Sequence, residues 1–245
     1  MSELRAIPVP GLPEIEAGAP LGELIAARAG IEPGDMVVIA QKIVSKAEGQ
    51  VRKLSSVIPG AEARKLAAVL GKEPALVELI LEQSTEVLRA ERSVLIVETH
   101  HGFVCANAGI DSSNLPDDDS VCLLPEDPDA SARRVCGELG VAPVGVVIAD
   151  SFGRAWRLGQ AEVAIGCAGL DPLDDWRGRR DANGRELEAT LIAVADEAAA
   201  AADLVRGKNS KIPAVIVRGL DRFVTAEDGP GAIALRRPRD GDLFR

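Results

Sequence analysis

The sequence predicts a mixed fold in which buried strands and amphipathic helices share one chain. Three observations carry this. Short apolar runs at 36–40, 94–98 and 144–148 suit buried strands and are too short for buried helices. Apolar residues spaced by three and four in 61–72, 75–84 and 186–205 describe one-sided helices. The 245 residues are 47% hydrophobic but only 2% aromatic, so a sizeable core must be built from Ala, Val, Leu and Ile.

From the N-terminus, 7–14 (IPVPGLPE) is too proline-rich for a helix or a central strand. It reads as an edge strand running into a rigid loop. Leu21, Leu24 and Ile25 share one face of a helix over 21–29, stopped at Gly30. Pro33, Gly34 and Asp35 turn the chain into the strand 36–40. The stretch 41–49 (QKIVSKAEG) reads as a polar strand end with two lysines at its mouth, where they can meet phosphate. The helices 61–72 and 75–84, parted by Pro74, have charged outer faces and read as structural. His100 and His101 follow the strand 94–98. On extended backbone their side chains point apart, so they are not read as chelating one ion. The strand 103–108 delivers Asp111, with Asn114 three residues on. The acids 117–119 read as a solvated loop. A strand at 121–124 precedes a helix over 127–140, capped by Asp127 or Asp129 and stopped at Gly140.

The stretch 143–169 organises the rest. Its apolar run ends in Asp150 and Ser151; Gly153 allows a sharp turn, and Arg154 and Arg157 follow in one loop. A carboxylate, a hydroxyl and two guanidiniums at a strand end can hold a metal ion and a phosphate together. The same residues also describe a plain strand end, turn and solvated loop. The polar stretch 171–184 reads as a mobile lid. The longest helix is expected over 186–205, with Leu187, Leu191, Val194, Ala198, Ala202 and Val205 as its stripe. A strand at 212–217 contains Pro213, and the remainder is rich in turns.

A net charge of −10 leaves no basic nucleic-acid surface. No targeting segment opens the chain, and no run approaches the ~20 apolar residues of a membrane span. A cytoplasmic protein is expected. Cys105, Cys122, Cys136 and Cys167 are widely spaced and read as reduced, buried small residues. There is no P-loop, no G-x-S-x-G elbow and no H-E-x-x-H. Asp111 and Asp150 remain, with hydroxyl, amide and basic residues in separate loops. Hard oxygen ligands suit Mg²⁺ or Mn²⁺, and metals with Arg and Lys suit phosphoryl transfer.

Five segments then carry a resemblance: GLPE at 11–14, VSKAEG at 44–49, ANAGIDSSN at 106–114, DSFGRAWR at 150–157 and ADLVRGK at 202–208. In this order they resemble the coenzyme F-420 gamma-glutamyl ligase family, along nearly the whole chain. The resemblance implies an α+β fold of mixed sheets and helices, with two intimately associated subdomains in an intertwined homodimer. It implies GTP-dependent joining of L-glutamate to the lactyl carboxylate of a deazaflavin precursor, F420-0, extendable to further γ-linked glutamates. GDP and phosphate are released. Asp111 and Asp150 would hold a first divalent cation, and Ser151 would help hold a second, either Mg²⁺ or Mn²⁺; K⁺ is an optional further ion. Leu12, Pro13, Glu14, Ile15, Gln41, Lys46 and Asn114 would contact GTP. Asp150, Asp111 and Lys46 would carry catalysis. Ser151 stands where members usually have Thr, and keeps the hydroxyl. Gln41 stands where Ser is common. Some bacterial relatives continue into a flavin-binding domain; here 1–245 is expected to form one functional unit without it.

The chemistry agrees with the residues. A carboxylate reacts with an amine only once an oxygen becomes a leaving group, and the GTP γ-phosphoryl makes it one as an acyl phosphate. Charge on that group would be neutralised by metals at Asp111 and Asp150, by Lys46 and by Arg154. Two other readings stand beside this one. One is a metal-dependent phosphohydrolase using the same acids. The other is a non-catalytic nucleotide-binding module of a larger enzyme.

Overall fold

The computed structural model describes residues 3–115 and 117–242. In chain order the elements are β1 (Arg5–Val9), α1 (Leu21–Ala26), β2 (Met36–Ala40), α2 (Gln41–Ala47), β3 (Val51–Lys53), α3 (Ala61–Leu70), α4 (Pro74–Glu82), β4 (Ser84–Glu91), β5 (Val94–Thr99), β6 (Val104–Ala106), β7 (Ser120–Cys122), α5 (Pro128–Glu138), β8 (Gly145–Arg154), β9 (Arg157–Ala168), β10 (Asp174–Asp175), β11 (Leu191–Ile192), α6 (Val194–Asp203) and β12 (Ala214–Arg218). Helices and mixed sheets share the chain, as an α+β class requires.

A five-stranded sheet in the order β1-β12-β2-β8-β9 forms the centre. Only β2 and β8 run parallel; the other neighbours are antiparallel. Successive side chains on a strand point to opposite faces. Val37, Ile39, Val146 and Ile148 therefore pack on one side with Leu21 and Ile25 of α1 and Val135 of α5. Met36, Val38, Val147 and Ala149 pack on the other with Val194, Ala198 and Ala202 of α6. Both faces are covered, which is why these strands read as unbroken apolar runs. Proline-bearing β1 sits at the sheet edge, where a missing N–H costs least. Residues 51–124 carry a third core, in which Ala63, Ala67, Val77 and Ile80 of α3 and α4 cover Leu95 and Val97 of β5.

Four expectations are corrected. Residues 41–47 are helix α2, not a strand end, because Ile43, Val44 and Ala47 face the core while Lys42 and Lys46 share the other side. β8 does not stop at Asp150. It runs to Arg154 and pairs with β9, so Ser151 and Gly153 lie in the ladder and only Ala155 and Trp156 turn. The lid expected at 171–184 is one arm of a hairpin. Trp176 and Gly178 donate backbone bonds to Thr190 and Leu187, and Asp174 is buried against Trp176 and Arg179. That hairpin consumes 186–193, so α6 starts only at Val194; Leu191 is in β11 and Leu187 in the ladder.

The consequence for function lies in the parallel pair. Ala40 is opposite Ala149, so α2 leaves β2 beside the point where Asp150 appears on β8. Among the described residues, no helix is long and apolar enough to cross a membrane.

Candidate active site

Lys42 and Lys46 are one helical turn apart on α2 and project together. Lys42 Nζ lies 2.9 Å from Asp111 Oδ2 and donates to Ser113 Oγ at 2.7 Å and to the Ser113 carbonyl at 2.8 Å. Asp111 is fixed by a bridge to Cys122 of β7, and its Oδ1 accepts the Ser113 N–H at 2.6 Å. Burial pushes the Asp111 carboxyl up, but the bonds from Lys42 and Ser113 outweigh it and hold the group below the usual range. Lys46 pairs with Glu14 and donates to the Asn114 carbonyl at 3.3 Å.

Asp150 behaves oppositely. Burial pushes its carboxyl up to about 6, against a hydrogen bond from the Ser151 N–H; Glu162 and Asp111 add like charge, and Lys42 only partly offsets them. Ser151 is next to it in an extended strand, so the two side chains leave on opposite sides. Its Oγ donates to Glu162 Oε1 at 2.5 Å and accepts from Lys208 Nζ at 2.6 Å. Glu162 is opposite Ser151 on β9. The buried Arg206 donates to Glu162 Oε2 at 2.7 Å, and Lys208 reaches Oε1 at 3.4 Å. Asp111 thus meets Lys42, and Glu162 meets Lys208 and the buried Arg206, near the ends of β2 and β8, while Lys46 is held by Glu14.

These carboxylates suit a hard divalent cation. Asp150 carries charge at the cost of burial and receives no side-chain hydrogen bond among the described residues. Lys42 and Lys208 already place positive charge against the other two acids. No three Asp, Glu, His or Cys side chains close around one point among the described residues. A cation here would be held by one or two carboxylates, with water and phosphate oxygens completing its shell. Beside this lies a cavity of about 520 Å³ lined by Glu14, Ile15, Ala17, Lys46, Gly49 and Asn114. Its volume is in the usual range for ligand sites, roughly 300–1,000 Å³.

Comparison with known proteins bears on this geometry. The family described as F420-0:Gamma-glutamyl ligase matches residues 11–219. A protein of Methanothermobacter thermautotrophicus named coenzyme F420:L-glutamate ligase is 47% identical over 99% of both chains. Proteins of the same name from Methanopyrus kandleri and Archaeoglobus fulgidus are 44% identical over 99% of this chain and 98% of theirs, and 46% identical over 89% and 88%. This chain belongs to the F420-0:gamma-glutamyl ligase family.

Within this family member, the residues expected at the site divide by environment. Glu14, Ile15, Lys46 and Asn114 line the cavity, but the Ile15 side chain is in the core, which leaves its backbone to face a ligand. Leu12 also packs on that core, and Pro13 is exposed beside it. Gln41 is buried; its Oε1 accepts from Ser45 Oγ at 2.7 Å and its Nε2 has no partner among the described residues. His100 and His101 diverge, to the carbonyls of Glu82 and Pro125. The four cysteines are free, and burial pushes the Cys105 thiol up to about 12, with Asp150 adding to it. Sequence reasoning missed Glu162, and gave Arg206 and Lys208 no individual role. Glu162 opens the apolar run of β9 as Asp150 closes that of β8, so reading 144–168 as one hairpin would have brought Glu162 to the Asp150–Ser151 end of β8, opposite Ser151.

Proposed function

We propose that this protein joins L-glutamate to the lactyl carboxylate of the deazaflavin precursor F420-0, consuming GTP and releasing GDP and phosphate. Family membership supports the ligation. The observation that supports the mechanism is the placing of Asp111 with Lys42, Glu162 with Lys208, and Asp150 between them, next to a cavity that Lys46 lines. The γ-phosphoryl passes from GTP to a carboxylate oxygen of the acceptor. The bond to the GDP oxygen breaks, and an acyl phosphate forms. The glutamate nitrogen attacks the carbonyl carbon, phosphate leaves with the bonding pair, and the nitrogen gives up its proton. Asp111 and Asp150 would hold one divalent ion, and Ser151 with Glu162 a second; Mg²⁺ or Mn²⁺ there supplies charge neutralisation on the phosphates. Lys46 and Lys208 orient the phosphates as point charges. No side-chain nucleophile is required.

The reading is tested by mass spectrometry of F420-0 incubated with GTP, Mn²⁺ and L-glutamate. A product heavier by one glutamyl residue is expected. GTP turnover that ignores glutamate and acceptor would replace the ligase with a phosphohydrolase.

Lys46→Ala is expected to weaken GTP binding by about 1.5–3 kcal/mol, the range for a charge-assisted contact. Calorimetric titration measures it, and unchanged affinity would confine Lys46 to its pair with Glu14. Ser151→Ala is expected to raise the Mn²⁺ requirement about tenfold, with partial rescue at excess metal, while Ser151→Thr stays close to wild type. An alanine variant that follows the wild-type metal curve would reduce Ser151 to a strand residue.

The proposal includes a homodimer, with residues 1–245 acting as one unit. Trp156 and Leu158, 80% and 98% exposed, stand at the tip of the β8–β9 hairpin, an apolar end that a second copy would cover. Light scattering is expected to give twice the chain mass. A stable, active monomer would refute it.

A further inference from the structure

The chain has four Phe, two Trp and no Tyr, yet two phenylalanines and a histidine meet beside the acids. Phe152 is two residues past Asp150 on β8, so both side chains leave the same face of the strand. Phe103 meets Phe152 edge-on, with ring centroids 6.0 Å apart and planes at 76°. His101 stacks on Phe103 at 5.6 Å and 19°, its Nε2 held 2.8 Å from the Pro125 carbonyl. The Arg236 guanidinium stands 6.0 Å from the Phe103 ring centre. Gly102 makes room for it: φ is +83°, and a Cβ there would lie 2.7 Å from Arg236 Nη1.

All four groups are half-buried rather than sealed. No acceptor takes a hydrogen bond from the Arg236 guanidinium among the described residues. It is a fixed cation with unused donors at the edge of an aromatic platform. Such a surface suits a flat, fused heteroaromatic ring with carbonyl oxygens: the rings stack on its face and the guanidinium donates to its edge. Two reactants of the proposed ligase have such rings, guanine and the deazaflavin of the acceptor. Position separates them. The expected nucleotide residues Glu14, Ile15, Lys46 and Asn114 line the cavity reached past Asp111. The platform is reached from Asp150 along β8. We infer that His101, Phe103, Phe152 and Arg236 form the subsite for the acceptor's ring system, which holds it while its carboxylate reaches the acids. This rests on the ligase reading.

The experiment uses 5-deazariboflavin, a fluorescent ring without the reacting carboxylate, with the wild type, Phe152→Leu and Arg236→Gln. Thermal melts confirm that each variant is folded; Arg236→Gln lies outside the core and serves if Phe152→Leu does not. The wild type is expected to quench the fluorescence, and each variant to bind about tenfold more weakly. In turnover, the acceptor KM should rise about tenfold with the GTP KM unchanged. Variants that bind the ring like wild type overturn the subsite. So does a rise in the GTP KM alone, which would give the platform to guanine. If the wild type binds the ring through these residues but forms no glutamylated product, the ligase reading fails and the subsite stands. If wild type and both variants glutamylate with equal acceptor KM, the subsite fails and the ligase stands.

Discussion

Asp150→Asn should abolish glutamylation, by on the order of 10³-fold or more, and yet stabilise the metal-free protein. Both effects come from one fact. The Asp150 carboxyl is pushed from 3.8 up to about 6, first by burial and then by Glu162 and Asp111. A raised carboxyl means that the folded state holds the proton more tightly than the unfolded chain. Stability from this group is complete below about 4 and is lost as the pH rises through about 6. At neutral pH the ionised group costs up to about 3 kcal/mol, because each tenfold gain in proton affinity on folding is worth about 1.4 kcal/mol. Asparagine keeps the shape and removes the titration. With a chelator present, the variant should therefore melt only slightly above wild type at pH 4.5 and several degrees above it at pH 7.5. At this size roughly 2–4 °C accompanies each kcal/mol. With Mn²⁺ and GTP the order should reverse, because only the wild type has the carboxylate that would hold an ion in the proposed site. A melting difference equal at both pH values would show that Asp150 carries no burial cost. Substantial turnover by the variant would remove it from the site.

The sequence shows the centre of this fold because both faces of β2 and β8 are buried, and apolar runs such as 36–40 have one reading. It also shows α5, where Asp127 accepts the Ala130 N–H as its cap, and the edge position of proline-bearing β1. It misleads where a period arises by accident. Leu187 and Leu191 fall seven and three residues before Val194, so they extend the stripe of α6, but a backbone ladder holds them in a hairpin. Helix α2 was hidden because its seven residues are too few to display a period. Of the candidate site, Asp111, Asp150 and Lys46 were legible as polar residues at the ends of apolar runs or within motifs. Lys42 acquires its role only from α2, which lays it on Asp111. Glu162 acquires its role only from pairing across β9, which single-chain periodicity cannot register. Ser151 was read beside a turn; the ladder instead turns it away from Asp150 and onto Glu162.

Glu162→Gln should damage stability and chemistry together, and a second substitution should separate the two. Glu162 and Arg206 are 5% and 7% exposed and meet at 2.7 Å. Breaking a buried pair by removing one charge leaves the other uncompensated, at about 3–5 kcal/mol. Glutamine still offers an acceptor to Arg206, and Asp203 stands 3.8 Å from the guanidinium, so about 2–3 kcal/mol is expected here. Arg206→Met removes the stranded cation. The double variant Glu162→Gln with Arg206→Met should therefore recover most of the lost stability, because a neutral amide beside an apolar chain no longer needs a counter-charge. Activity should not recover with it. Glu162 also orients Ser151 Oγ and draws Lys208 to the same spot, and glutamine offers neither the charge for Lys208 nor an anionic ligand for a cation. Denaturant melts of the four proteins give the coupling energy, and Mn²⁺-dependent turnover gives the second readout. If the double variant stays as unstable as Glu162→Gln, the pair is not what Glu162 contributes to the fold. If the double variant regains wild-type turnover, Glu162 is a partner for Arg206 alone and has no part in the chemistry at Ser151.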